Sequence, residues 1–407
     1  MKYKNIYFCI LIFITSIVLS WAIPGLVKLG TSSAPRYPFV YYSSILQDFA
    51  IRKASGKTPE FLDASGNKYT REQYDSITPL FSYRQLMMVG NMPDSLMGVA
   101  LEPRVLRQKS FTWRYNPKDI RTPELGLYSL FEAMSGRASL ESPEDVFRMK
   151  EKIEFIRISN NRVNEEKSEI FMQAFHKAGF TFPAKEAWGN LTVKRPYDEG
   201  YFILDSRNQL FHLKMVNGRP YVKNTNIGQQ TSIAYVNVVE VPDKSIYGFV
   251  VSEEGAIYTI SAEGGYQLSR LDIPDIDIRK NSVVIMTNIF YWMASVTTPD
   301  NCTHYVLNAA TLKTHDNPYT IEANRDTWDK IEKKIFPVYF SISDPFTQYE
   351  QPFIKFGSVI SWVPGLLLLG FFWFFIGKKR PLPNRIFAGL CIILFGIPGF
   401  IASLLIN

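Results

Sequence analysis

The sequence predicts a mainly β extracytoplasmic domain of propeller-like repeats, with a few helices, joined to three transmembrane helices. Three observations carry this. Long uncharged apolar runs occupy both ends of the 407-residue chain. A tyrosine-led pattern recurs three times between Tyr201 and Pro318. The stretch between the apolar runs is close to electroneutral once the cations flanking them are set aside. The alternative for the middle of the chain is an antiparallel β-sandwich or meander with evenly spaced hairpins.

The expected parts are an anchor at 6–27, a β domain at 31–350, and transmembrane helices at 356–376 and 386–406. The two C-terminal runs, Phe356–Ile376 and Ile386–Ile406, each hold 21 residues and no charge. At the rise of a helix that is roughly 30 Å, the thickness of a bilayer core. The connection between them carries Lys378, Lys379, Arg380 and Arg385 and is too short to hold a domain. The positive-inside rule puts it in the cytoplasm. Lys2 and Lys4 precede the first run and put the N-terminus on the same side. The expected order is N-terminus in, β domain out to the periplasm, basic turn in, C-terminus out. The first run exceeds a usual signal-peptide core, and Ser32-Ser33-Ala34 is a poor cleavage site. An uncleaved anchor is therefore favoured over a signal peptide.

The net charge of +7 suggests a basic protein. Lys2, Lys4, Lys28, Lys355, Lys378, Lys379, Arg380 and Arg385 all lie at or beside the apolar runs. Setting these eight aside leaves 37 of the 45 basic residues against 38 acids. Such a balance has no electrostatic footprint for nucleic acid. Of the three cysteines, Cys9 and Cys391 lie in apolar runs and Cys302 stands alone in the middle, so no disulfide and no cysteine-based metal cluster is expected.

Past the linker, Ser44–Arg52 shows apolar residues at helical spacing and predicts a helix. Phe61–Thr70 reads as a hairpin turning at Ser65-Gly66-Asn67. Asp63-x-Ser65-Gly66-Asn67 has a faint look of a calcium loop, but no acidic ligand follows at the spacing such a loop needs. Arg71–Val89 is helical or mixed. Strand candidates follow at Met97–Leu101, Val105–Tyr115, Leu127–Phe131 and Ile153–Ile158. Val163–Gly179 is the clearest helix of the middle region, with Asn164 as its cap and Gly179 as its stop. His176 within it has no partner one turn on.

The repeat units are expected at about 201–246, 247–290 and 291–335. Their leading tyrosines, Tyr201, Tyr247 and Tyr291, are spaced by 46 and 44 residues, and Phe211, Tyr258 and Tyr305 by 47 and 47. Each reads strand, turn, strand, turn, strand, and Ile233–Val239 and Ser282–Asn288 add a strand before the second and third units. Four strands in a period near 45 is the pattern of a propeller blade. Asp272, Asp275 and Asp277 alternate with isoleucine and read as the exposed side of an edge segment.

No catalytic, cofactor-binding or metal-binding residue is assigned. Gly-x-Ser-x-Gly, phosphate-loop, Gly-x-Gly-x-x-Gly and His-Glu-x-x-His patterns are absent from the sequence. His212, His304 and His315 stand singly. Asp198-Glu199 is a candidate carboxylate pair for glycoside hydrolysis, but adjacent carboxylates on a strand point apart. Within the apolar runs, Gly357, Ser361 and Gly365 form a small-residue series, with Gly389 and Gly396 in the following run. Small residues let helices approach closely, either within the chain or against a partner membrane protein.

Gly179–Lys185, Trp188-Gly-Asn190, Tyr197-Asp-Glu-Gly-Tyr-Phe-Ile203 and Leu210-Phe-His-Leu-Lys214 resemble an uncharacterised family of Bacteroides-type inner membrane proteins. So do Phe61-Leu-Asp63, Tyr69-Thr70, Phe131-Glu132, Gly136-Arg137 and Phe147-Arg148. The resemblance implies an inner membrane protein of a Gram-negative anaerobe and carries over no catalytic residue. It also implies an association with ABC transporter components. The expected function is an accessory, sensor or binding subunit in the lipid bilayer, with a membrane protein partner. An anchored periplasmic hydrolase and an ABC exporter permease component are the alternatives.

Overall fold

A computed structural model describes the chain except residues 1, 33–36, 56–57, 125, 134–139, 194, 196, 324–326, 343, 345 and 407. The side chains of Lys2 and Lys4, the cleavage segment at 33–34 and the Gly136-Arg137 pair lie outside the described residues. The chain divides into two compact units. One is Tyr37–Glu322, and the other combines Met1–Arg36 with Ala323–Asn407.

The first unit is a succession of small antiparallel sheets, none of which closes into a barrel among the described residues. Strands Phe39–Ser43, Asp48–Ser55, Thr58–Asp63 and Lys68–Tyr69 form the first sheet. Asp145–Met149, Ile153–Arg157 and Arg162–Val163 form the second. Glu186–Gly189, Tyr201–Leu204, Leu210–Val216 and Arg219–Asn224 form the third. Ile233–Val238, Ile246–Ser252, Ile257–Ser261 and Leu268–Arg270 form the fourth. The fifth runs from Ser282–Thr287 through Tyr291–Thr297 and Asn301–Asn308 to Tyr319–Glu322, with Thr112–Tyr115 added at the Ser282–Thr287 edge.

The core is divided among pairs of sheets. Phe147 and Phe155 of the second sheet meet Tyr201 and Phe211 of the third. Phe202 and Leu210 pack with Val236 and Val250 of the fourth. Phe249 and Ile257 meet Trp113, Ile285 and Ala294 of the fifth, and the Trp113 and Phe249 rings stack at 4.3 Å. Tyr291 and Val306 then meet Tyr42 and Phe49 of the first. Inner strands such as Tyr201–Leu204 and Ile246–Ser252 are buried on both faces because their sheets have a neighbour on either side. The helix Glu165–Ala178 is capped by Asn164 and ends at Gly179 in the left-handed region, as its sequence predicts. It buries Phe171 and Phe175 in the same cluster as the second and third sheets.

Two local expectations are corrected. Ser44–Arg52 is no helix: the chain turns at 44–47, with Gln47 at φ 51°, and continues as a strand. Phe49 and Ile51 are both buried because they share one face of that strand. Val105–Tyr115 is half helix, Pro103–Lys109, with Pro103 in its first turn and only Thr112–Tyr115 extended.

In the second unit, the segments Asn5–Thr31 and Val359–Lys379 are helical, long and apolar enough to cross a membrane. The expected third span is overturned. Its residues form two short helices, Leu382–Phe395 and Ile397–Leu405, broken at Gly396, whose φ of 64° and ψ of −126° favour glycine. Pro398 then sits in the first turn of the last helix, where its missing N–H costs nothing. The last helix lies back along its predecessor. A side chain at Gly399 would collide with the Cys391 carbonyl, and Arg380 donates to the Ser403 carbonyl at 2.6 Å. The Arg380 guanidinium also lies over Phe8 and Phe372, so the start of the long first helix and the basic turn share one end of this unit.

Candidate functional site

A buried polar cluster of the β unit surrounds Asp198 and Glu199, just ahead of the strand Tyr201–Leu204. Arg195 holds Asp198 at 2.8 Å and Glu240 at 2.6 Å, and all three side chains are almost fully buried. The Asp198 carboxylate also accepts from the backbone N–H groups of Phe131 and Gly200. Asn190 donates to the second oxygen of Glu240 at 2.6 Å. Burial pushes the carboxyls of Asp198 and Glu240 upward, against the pull of Arg195. One cation between two carboxylates leaves a single excess negative charge, which a proton can remove.

Glu199 points elsewhere. It accepts from Lys214, whose ammonium lies over the Tyr247 ring. Its backbone carbonyl accepts from His212 Nε2–H at 2.6 Å. That bond leaves Nδ1 free to accept from the Tyr266 hydroxyl at 2.9 Å, and the Tyr221 hydroxyl lies 3.2 Å from Tyr266. Burial holds the His212 imidazole neutral, pushed down to about 3, with the nearby Lys214 adding to the effect. The two adjacent carboxylates thus serve different cations and do not face one another across a cleft, as glycoside hydrolysis requires.

A second cluster was invisible when its members were taken singly. Cys302 and His304 lie on one face of the strand Asn301–Asn308, with sulfur 3.7 Å from Nε2. Ser295, paired with His304 on the neighbouring strand, sits 2.8 Å from Nδ1. The signal was the Cys-x-His spacing, which is the period of a strand. Thiol, imidazole and hydroxyl are in the order that activates a nucleophile. Their surroundings oppose it. Burial pushes the thiol up and the imidazole down to about 4, so both are uncharged at neutral pH.

The remaining candidates disperse. Asp63 accepts from Asn67 and Tyr69 within its own turn. Asp272 accepts from the Thr314 backbone, Asp275 pairs with Arg270, and Asp277 pairs with Lys280. His176 is exposed on its helix, its ring edge-on to Phe182. His315 stands beside Tyr291, with ring centres 4.6 Å apart. Among the described residues, no group of three or more His, Cys, Asp or Glu gathers as a metal site.

In the helical unit, Gly357 lies ahead of the span, where a side chain would crowd the Phe336 carbonyl and Ser361. A Cβ at Gly365 would stand 3.2 Å from the Ile392 carbonyl and one at Gly389 3.1 Å from Leu369, so both glycines admit close packing between the helices of this chain. Gly396 makes the break described above. Lys378 and Lys379 are exposed, and Arg385 donates to the Trp373 carbonyl.

Residues 39–307 match a family model described as a domain of unknown function, DUF4857. The chain belongs to this family. DUF4857 carries no assigned activity in its description. No curated protein matches the chain. Among solved structures, it is similar to PorZ, an essential surface component of the type-IX secretion system of Porphyromonas gingivalis. Identity is 9% over 70% of this chain and 32% of PorZ, with a TM-score of 0.22. It is also similar to NirN, a dihydro-heme d1 dehydrogenase, at 8% identity over 63% of this chain and 66% of NirN, with a TM-score of 0.16. The chain therefore spans about a third of PorZ.

Proposed function

We propose that this DUF4857 chain is an integral membrane accessory or sensor subunit whose β unit binds a partner or ligand without catalysis. The observation that carries it is the surface of the helical unit. Val359, Leu367, Phe374 and Phe375 are 86%, 71%, 63% and 74% exposed along one helix, a surface that water does not tolerate and acyl chains do. The buried ionisable groups of the β unit support a binding role. They are neutralised within the protein or held uncharged, so the clusters stiffen the sheets and do not confront a substrate. The division of the core among successive sheet pairs favours propeller-like stacking over a sandwich, whose two sheets share one core.

In this reading the helical unit sits in a bacterial inner membrane. The N-terminus and the basic turn are cytoplasmic and the β unit is periplasmic. The partner is a membrane protein, with an ABC transporter subunit as the first candidate. Purification of the tagged full chain in mild detergent, followed by mass spectrometry, tests this. A stoichiometric transporter ATPase or permease is expected, and a chain that purifies alone overturns the accessory role. Reporter fusions at Gly377 and after Leu405 read the sides of the turn and of the chain's end.

A further inference from the structure

Lys378, Lys379 and Arg385 of the basic turn make no ion pair with an acid among the described residues of the helical unit. No Asp or Glu occurs from Met1 to Gln47 or from Gln351 to Asn407. Lys355 with Glu332 is the ion pair found among the described residues of this unit, and neither residue belongs to the turn. Lys378 and Lys379 are exposed. Arg385 is half-buried and fixed: its guanidinium lies 3.9 Å over the Trp373 ring and donates to the Trp373 carbonyl. Its Nε is buried with no hydrogen-bond partner, as is the carboxamide oxygen of the adjacent Asn384. A guanidinium held out of water without a counter-charge is costly, and an anion from outside the chain relieves that cost.

An apolar groove lies beside Arg385. Trp373, over which Arg385 lies, and Ile386, next to Arg385 in sequence, line a groove of about 360 Å³ between the helices Trp362–Phe371 and Leu382–Phe395. Leu366, Leu390 and Ile393 continue it, and Gly370, with nothing within 4 Å of where a side chain would stand, leaves it open. Positive charge at one end and a hydrocarbon-lined groove running from it match one molecule with both properties. We infer that the turn binds an anionic phospholipid. Its phosphate lies against Arg385, Lys378 and Lys379, and one acyl chain lies in the groove. This rests on the membrane reading above and adds a specific lipid to it.

The test uses the full chain in mild detergent, titrated by native mass spectrometry with phosphatidylglycerol, phosphatidylcholine or inorganic phosphate. Each basic residue near a membrane surface is worth about fivefold in affinity for anionic lipid. Phosphatidylglycerol is therefore expected to bind at least fivefold better than phosphatidylcholine. Arg385→Gln should lose about fivefold, Arg385→Lys should retain most binding, and the double variant Lys378→Gln, Lys379→Gln should lose more than tenfold. Because Lys378 and Lys379 are exposed, the double variant leaves the fold intact. Equal binding of the two lipids, or a double variant whose affinity for phosphatidylglycerol matches the parent's, overturns the inference. So does displacement of the lipid by inorganic phosphate, which would make this a free-anion site. Insertion of the chain into phosphatidylcholine vesicles separates the two readings. A chain that inserts without lipid preference sinks only this inference, and one that fails to insert sinks the membrane reading with it.

Discussion

Arg195 in the β unit and Arg385 in the helical unit are each a guanidinium laid over an aromatic ring, Phe131 at 5.1 Å and Trp373 at 3.9 Å. Only Arg195 sits among carboxylates. The difference reflects where each unit finds its counter-charge. The β unit draws on acids supplied by its own loops, so its buried electrostatics are closed. In the helical unit no acid is encoded from Gln351 to Asn407, so Lys378, Lys379 and Arg385 of its basic turn depend on the surroundings. A closed network should resist salt and respond to the loss of a partner. An open one should respond to what is added from outside.

The largest effect expected from this contrast is in the β unit. Arg195→Met strands Asp198 and Glu240 in a buried site without their cation. Breaking such a cluster from one side costs about 3–5 kcal/mol. Chemical denaturation of the full chain in detergent, followed by tryptophan fluorescence, should show that loss. A loss below about 1 kcal/mol would mean the two carboxyls are already protonated and the network is not ionic.

The next effect is a pH dependence. The His304 imidazole is pushed down to about 4 in the folded chain from an ordinary value of 6.5. Between those values the unfolded chain takes up a proton that the folded chain refuses. Stability is therefore full above about pH 6.5 and falls as pH drops toward 4, by about 1.4 kcal/mol per unit. The raised carboxyls of Asp198 and Glu240 act in the opposite sense, because their folded forms hold protons more tightly. The histidine term is isolated by comparing the parent with His304→Asn, which keeps an acceptor for Ser295 near the place of Nδ1. The variant should show a flatter stability profile from pH 6.5 to 4. Parallel profiles would show that His304 is not buried as a neutral ring.

Much of this organisation was legible in the sequence because it rests on local patterns. The repeat spacing marked the strands of the third to fifth sheets, and Asn164 and Gly179 marked both ends of a helix. What was illegible depended on distant partners. Arg195 had no evident role until Glu240, 45 residues on, came within 2.6 Å. Cys302 and His304 looked solitary because their meeting requires a strand, and Ser295 joins them only through the pairing of its neighbour. The run Ile386–Ile406 read as one span because hydropathy counts apolar residues and ignores a single glycine in an unusual backbone conformation. The sequence Gly396-Ile-Pro-Gly399 was the available signal for the break.

That break supplies a smaller prediction confined to the helical unit. Gly396→Ala forces a Cβ into a backbone region that other residues avoid, and the Cβ would also stand 3.0 Å from Pro337. The expected cost is about 1–3 kcal/mol, read as a lower thermal midpoint in detergent. An unchanged midpoint would mean that the two short helices straighten into the single span first expected.

The smallest effect completes the contrast between the two arginines. Arg385→Gln orphans no carboxylate, since none is encoded nearby. It removes one cation–π contact, worth about 0.5–1 kcal/mol at a partly exposed site, and one bond to the Trp373 carbonyl that glutamine can partly replace. In neutral detergent the stability of this variant should stay within about 1 kcal/mol of the parent. The gap should widen when anionic lipid is added, because only the parent then gains a bound counter-charge. A cost in neutral detergent as large as that of Arg195→Met would erase the distinction. It would mean that Arg385 is held by a counter-charge within the chain after all.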